Sequence, residues 1–129
     1  MRTAITTKGA AAAIGPYSQA VRVGSLLFVS GQIPLDPSTG DLVEGDIAFQ
    51  THQVMKNLSA ILDAAGYKFS DVVRTSVFLI DLEDFSTVNE VYATYLPSPA
   101  PARSTVQVSG LPKRARIEID LIAALSDAT

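Results

Sequence analysis

The chain has no cysteine and a single histidine, His52, among its 129 residues. Without cysteine there is no disulfide, no thiolate metal site and no cysteine nucleophile. One histidine is too few for a histidine-rich metal centre within one chain. Positive charge is also scarce: ten Lys and Arg stand against thirteen Asp and Glu, for a net charge of −3 and a pI near 4.9. Nucleic-acid binding draws on counterion release by clustered cationic side chains, and the one basic cluster, Lys113, Arg114 and Arg116, reads as a solvated turn. Nucleic acid is therefore not an expected partner. No apolar run approaches the roughly 18 residues that a membrane span needs. Met1 to Ala13 is small and mixed, without a charged region leading into an apolar one, so a soluble, cytoplasmic protein is expected.

What is present is apolar. Hydrophobic residues make up 47% and charged ones 18%, with a mean hydropathy of +0.26. That describes one globular domain over residues 1–129, long enough to bury about two thirds of the surface of its unfolded chain. The slight apolar excess hints at a subunit interface.

R-T-A-I-T-T at the start suits a short edge strand, and Lys8 to Ala13 a loop. In I-G-P-Y-S-Q-A-V, Gly15 and Pro16 punctuate, which puts Tyr17 in a turn directly before a strand. There it is either the wall over a small ligand or a half-buried surface tyrosine. Gly24-Ser25 separates two strand segments, Gln19 to Val23 and Leu26 to Ile33, so a hairpin is expected. Ser30 and Gly31 lie near the end of its second strand, where glycine marks a bulge or a close approach to the backbone. Asp36 to Asp41 is a turn.

From Asp46 to Ala65, Ile47, Val54, Met55, Leu58, Ile61, Leu62 and Ala65 fall on one helical face. Asp46 serves as N-cap and Gly66 as stop. His52 lies on this helix with no partner histidine four residues away and reads as an exposed side chain rather than a catalytic base. V-V-R-T-S-V-F-L-I is a strand with apolar residues on both faces, and covering the second face calls for an association. After a turn at Asp81 to Asp84, Phe85, Val88, Tyr92 and Tyr95 repeat at helical spacing. Asn89, a mediocre helix former, sits mid-helix either for a reason or as a tolerated surface residue.

Pro97, Pro99 and Pro101 then lead to Arg103 at the mouth of an alternating strand, Ser104 to Val108. An arginine is a planar five-donor fork that matches a carboxylate bidentately; here it is a clamp or a surface residue at a strand start. Leu111-Pro112-Lys113 makes a turn. From Arg116 to Leu121, Ile117, Ile119 and Leu121 point one way, and Arg116, Glu118 and Asp120 the other. The expected ladder is antiparallel, Ser104 to Val108 against Arg116 to Leu121. Ser126 to Thr129 reads as a frayed tail. The element order describes an α+β domain, its mixed sheet carrying two helices on one face.

I-G-P-Y-S-Q-A, V-S-G-Q-I, A-A-G, D-F-S-T-V-N, P-A-R-S, L-P-K and I-E-I stand in the order and spacing of the Rid (YjgF) family. Over essentially its whole length the chain resembles the branch of 2-iminobutanoate/2-iminopropanoate deaminases. The resemblance implies a chorismate-mutase-like fold and a homotrimer with a central β-barrel and clefts between subunits. By the same resemblance Arg103 grips the substrate carboxylate and Glu118 positions or activates water. Tyr17, Ser30, Gly31 and Asn89 line the pocket, and the main chain at Thr105 makes a polar contact. Two positions depart from the family's pattern: Ala100 stands where phenylalanine is common, and Thr105 where many relatives carry cysteine. The first reshapes a pocket wall, and the second rules out an essential thiol. The implied reaction is hydrolysis of a small 2-imino acid to a 2-oxo acid and ammonia, with no metal or cofactor. The alternatives are a carboxylate-binding regulatory trimer without turnover and an endoribonuclease or translation inhibitor.

Overall fold

The computed structural model describes residues 1–126; the last three residues of the expected frayed tail lie outside the described residues. Strands β1 (Arg2–Ile5), β2 (Ala20–Val23), β3 (Leu26–Gln32), β4 (Val72–Leu79), β5 (Ala102–Gln107) and β6 (Ile117–Ala124) form one sheet in the order β1-β2-β3-β6-β4-β5. Helices α1 (Ile47–Ala65) and α2 (Phe85–Ala93) pack against each other, with α1 lying on β3 and β6.

Local chemistry accounts for most of these elements. The Asp46 side chain accepts a hydrogen bond from Phe49 N at 2.8 Å, the N-cap its position calls for. Gly66, at φ 82°, ends α1 in the left-handed conformation that a side chain would strain, and its N–H donates to the Asp63 carbonyl. Val54, Met55, Leu58, Ile61 and Leu62 are buried along the face of α1 that meets the sheet. Across them lie Leu27 and Val29 of β3, Val77 and Leu79 of β4, and Ile117, Ile119, Leu121 and Ala123 of β6. The hairpin forms as expected, with Val23 opposite Leu26 across Gly24-Ser25.

The pairing of β5 differs from expectation. It runs parallel to β4, with Arg103 opposite Thr75 and Thr105 opposite Val77, and makes no ladder with β6. Instead β6 lies antiparallel between β3 and β4, so both of its edges are occupied. The reason is the element between β4 and β5: a strand, a helix and a returning strand bring the second strand back parallel to the first. The Val108 to Arg116 connection holds a short 3-10 turn, Pro112–Arg114, in which Lys113 and Arg114 have φ of 56° and 60°. It crosses over rather than closing a hairpin.

The sheet face away from the helices carries Leu26, Phe28 and Val106, which are 39%, 43% and 44% exposed. Val73, in sequence alternation with the buried Thr75, Val77 and Leu79, is exposed, and the β4–β6 register shifts between Val72 and Arg74. Replacing the α1 cap, Asp46→Ala, is expected to lower stability by about 1 kcal/mol, read from urea unfolding at fixed protein concentration; an unchanged midpoint would show that the cap contributes nothing.

Candidate functional site

Arg103 projects from β5 onto the helix side of the sheet. Its Nη1 donates to Asn89 Oδ1 at 2.8 Å. The guanidinium carbon lies 4.9 Å from the Tyr92 ring centroid and 5.5 Å from that of Phe85. Tyr92 is itself fixed, because its hydroxyl shares a 2.7 Å hydrogen bond with the buried Thr75. Among the described residues the one salt bridge joins Arg116 to Asp84, so no carboxylate neutralises Arg103. A neutral amide and two ring faces orient the cation and leave its charge available to an anion. A cavity of about 480 Å³ opens beside it, lined by Asn89, Tyr92, Ala93, Ala100, Pro101 and Arg103.

Asn89 therefore has a reason to sit in the middle of α2. Phe85 and Tyr92, which read from the sequence as part of the helix's apolar repeat, also hold Arg103, a role the repeat alone does not indicate. The available signal was spacing: 85, 89 and 92 lie on one helical face.

Glu118 projects from β6 to the other side of the sheet, where Phe78 is its neighbour on β4. The β3–β6 register shifts between Val29 and Gln32, the bulge expected from Ser30-Gly31. A Cβ on Gly31 would stand 2.6 Å from Glu118 Oε2 and 3.0 Å from its Cγ, so a side chain there would displace the carboxyl from its present place. Ser30 Oγ donates to the Ser18 carbonyl at 2.6 Å. Tyr17 is 54% exposed, and its hydroxyl accepts from Ile14 N at 3.4 Å. Tyr17, Ser30, Gly31 and Glu118 line a second cavity, of about 470 Å³, with Ala11, Ile14 and other apolar side chains.

Burial pushes the Glu118 carboxyl up from its ordinary value, and the nearby Asp120 charge adds to the rise. Burial raises Asp120 as well, against a Ser76 hydrogen bond and the Arg74 charge that lower it. An acid raised in this way holds its proton at a higher pH than a free carboxylate and is a stronger base once ionised. The shift also weighs on stability. A carboxyl whose folded pKa exceeds its unfolded one binds its proton more tightly in the folded state. Its contribution is fullest below the unfolded pKa and declines as pH rises from there through the folded pKa.

The structure thus gathers Tyr17, Ser30, Gly31 and Glu118 around one cavity, and Arg103 and Asn89 around another. It does not bring Arg103 and Glu118 together within one chain. Thr105 lies on the helix side, where its Oγ1 is buried without a hydrogen-bond partner, and it lines neither of these two cavities. His52 is half-buried rather than exposed, with Nδ1 2.8 Å from the Tyr95 hydroxyl and the rings edge to face. It too lines neither cavity. Lys113, Arg114 and Arg116 are exposed, as a solvated turn should be. No group of three or more His, Cys, Asp or Glu among the described residues could hold a metal ion, and no described helix is long and apolar enough to cross a membrane.

A mixed six-stranded sheet backed by two helices, with an uncompensated arginine on one side and a raised acid on the other, defines a class of small α+β proteins. The chain belongs to the Rid (YjgF) family, matching the family described as endoribonuclease L-PSP over residues 7–125. It is 53% identical over 123 residues to a RutC family protein of Pyrococcus horikoshii, covering 95% of this chain and 98% of that one. It is 51% identical to the mouse 2-iminobutanoate/2-iminopropanoate deaminase, covering 95% and 91%. Among solved structures, E. coli TdcF with bound serine superimposes with a TM-score of 0.91 at 43% identity, covering 96% and 99%.

Removing the Asp120 charge takes away one of the causes that raise Glu118. In Asp120→Asn the Glu118 carboxyl is expected to titrate at a lower pH than in the parent, as read by carbon-13 NMR. An unmoved titration would show that burial acts alone.

Proposed function

We propose that the chain is an enzyme that hydrolyses small 2-imino acids, 2-iminobutanoate and 2-iminopropanoate, to the 2-oxo acids and ammonia. The sites lie between copies in a homotrimer, with the Arg103 half of one subunit facing the Glu118 half of another. The observation that carries this reading is the division itself: an uncompensated guanidinium on one sheet face, and a raised carboxyl on the other. Neither half performs this chemistry alone, and the exposed apolar residues beside Glu118 are suited to cover by a second copy. The name of the mouse relative and the serine bound to the E. coli one support a small substrate of amino-acid type.

The protonated imine carbon is already electrophilic, so the protein has to hold, orient and move protons. Arg103 pairs with the substrate carboxylate through its planar fork, kept in place by Asn89, Tyr92 and Phe85. Glu118 takes a proton from water as the water oxygen bonds to C2, giving a carbinolamine. It returns that proton to the nitrogen, the C–N bond breaks with its electron pair leaving on ammonia, and the hydroxyl proton departs as the carbonyl forms. Iminium and water become oxo acid and ammonium, with no metal or cofactor consumed. Tyr17 and Ser30 wall the reacting centre, Gly31 lets the acid approach, and the main chain at Thr105 supplies a polar contact to the substrate.

The family description favours a second reading, endoribonuclease. Against it, the one basic turn is small: Lys113 Nζ is engaged by the Gly40 carbonyl and Arg116 by Asp84. A carboxylate-binding protein without turnover would use Arg103 equally well, but gains nothing from an acid poised like Glu118.

Arg103→Lys keeps the charge and loses the fork. In an assay coupled to a threonine dehydratase, it is expected to lower kcat/KM by roughly a hundredfold, and Arg103→Ala by more; wild-type rates in both would sink the assignment. Co-assembly tests where the halves meet. Arg103→Ala and Glu118→Gln, each inactive alone, should recover activity in roughly a quarter of the sites when co-expressed, since random pairing of subunits then rebuilds intact sites. A site contained in one chain would recover nothing.

A further inference from the structure

The wall that faces Glu118 across its cavity has no regular structure. Between β1 and β2 the chain runs through Ala11, Ala12, Ile14 and Tyr17, all of which line the cavity. Ile14 and Tyr17 are largely exposed, and the bond between them, Ile14 N to the Tyr17 hydroxyl, is long at 3.4 Å. At its far end the segment is pinned by Ala10, which is buried in the core, and by Gly9, where a Cβ would meet that of Ala60 at 2.9 Å.

The same end is also tied by one side chain that reaches back from beyond Tyr17. Gln19 is 4% exposed. Its Oε1 accepts from Thr7 N at 2.7 Å, and its Nε2 lies 3.0, 3.3 and 2.9 Å from the carbonyls of Thr7, Ala10 and Ala11. The Gln19 carbonyl in turn accepts from Ser30 N at 2.9 Å, one residue before the glycine that admits Glu118. A single residue therefore joins the two ends of the loop, its main chain bonded to the strand wall at Ser30 and its amide to Thr7, Ala10 and Ala11, of which Ala11 lines the cavity. A fully satisfied buried amide has no cheap alternative set of partners, because water does not replace them.

We propose that Gln19 is a positioning residue, whose amide closes the loop that carries the Ala11 to Tyr17 wall by tying its Thr7 to Ala11 end to the strand beside Ser30, and thereby sets the affinity for substrate without entering the chemistry. The inference rests on reading this cavity as half of an imine site. Loss of the amide frees the loop wall while Glu118, held by β3 and β6, keeps its place and its proton affinity. The effect should therefore fall on binding.

Two variants test this. Gln19→Met removes every hydrogen bond of the side chain at similar size, and Gln19→Glu keeps the acceptor but turns a carboxylate oxygen towards the three carbonyls. Each is compared with the parent well below its own Tm and with assembly verified. KM for 2-iminobutanoate should rise, and affinity for 2-oxobutanoate by calorimetry should fall, each by about tenfold, with kcat changed less than about threefold and the acid limb of the pH profile unmoved. Amide exchange over Ala11 to Tyr17 should accelerate in the unliganded variants. A lower Tm with unchanged KM, unchanged affinity and unchanged exchange would make Gln19 a structural buttress and overturn the proposal, as would a fall in kcat at constant KM. If the parent bound 2-oxobutanoate but hydrolysed no imine, the functional reading would fail, while the affinity and exchange measurements would still decide the role of Gln19. A parent that neither hydrolysed imine nor bound oxo acid would overturn both.

Discussion

The parallel ladder between β4 and β5 governs what the two cavities can do. Side chains alternate across a strand, so a register that sets Arg103 against Thr75 commits it to the helix side of the sheet. The antiparallel ladder on the other edge of β4 sets Glu118 against Phe78 and commits it to the opposite side. No rotamer of either residue crosses a hydrogen-bonded sheet. A shift of one residue in the β4–β6 ladder would turn Glu118 in among Val77, Leu79 and Ile119, and one in the β4–β5 ladder would turn Arg103 away from Asn89 and Tyr92, so register fixes the side of each group. A reaction that needs both groups has to find the second one on another copy.

The two halves are prepared in opposite ways. Around Arg103 the surroundings keep the charge without neutralising it: ring faces attract a guanidinium by about 0.5 to 2 kcal/mol depending on solvation, and Asn89 supplies an oxygen with no formal charge. A carboxylate in that place would bind the arginine more strongly and leave it unavailable. Around Glu118 the surroundings resist the charge, by burial and by Asp120. The first arrangement conserves an electrostatic attraction for an incoming anion, and the second makes ionisation of the acid unfavourable for the folded state as pH rises. Both leave the isolated chain with interactions unmade, as expected of a site that a ligand completes.

Local signals were legible where one residue type answers one local need. Asp46 and Gly66 bound α1 as caps, Gly24-Ser25 turned the hairpin, and Gly31 marked both a bulge and the approach of Glu118. Strand partners were not legible in the same way. The antiparallel neighbour expected for β5 followed from adjacency along the chain, whereas the crossover through α2 returns β5 to the free edge of β4 and leaves β6 between β3 and β4. Because the face that Arg103 occupies depends on that pairing, its cage of Phe85, Asn89 and Tyr92 was hidden as well. The aromatic spacing of α2 reads equally well as core, and only the position of β5 shows which of its residues meet the arginine. His52 escaped for a related reason, since its partner, Tyr95, lies beyond the end of another helix.

The composition of the cavity walls bears on selectivity. The groups that meet the reacting carbons are specific: a fork for the carboxylate, an acid for the water. The walls that would meet the rest of the molecule are largely apolar, Ala93, Ala100 and Pro101 on the Arg103 side and Ala11, Ile14, Ile33 and Leu35 on the Glu118 side. An apolar wall discriminates a missing or added methylene by only about 1 to 3 kcal/mol even when closely fitted. Under the proposed reading, recognition is therefore concentrated on the imino-carboxylate unit that all such substrates share, and the apolar walls leave the substituent loosely specified. An enzyme that clears reactive imines benefits from that division, because the hazard lies in the C=N bond and not in the side chain attached to it.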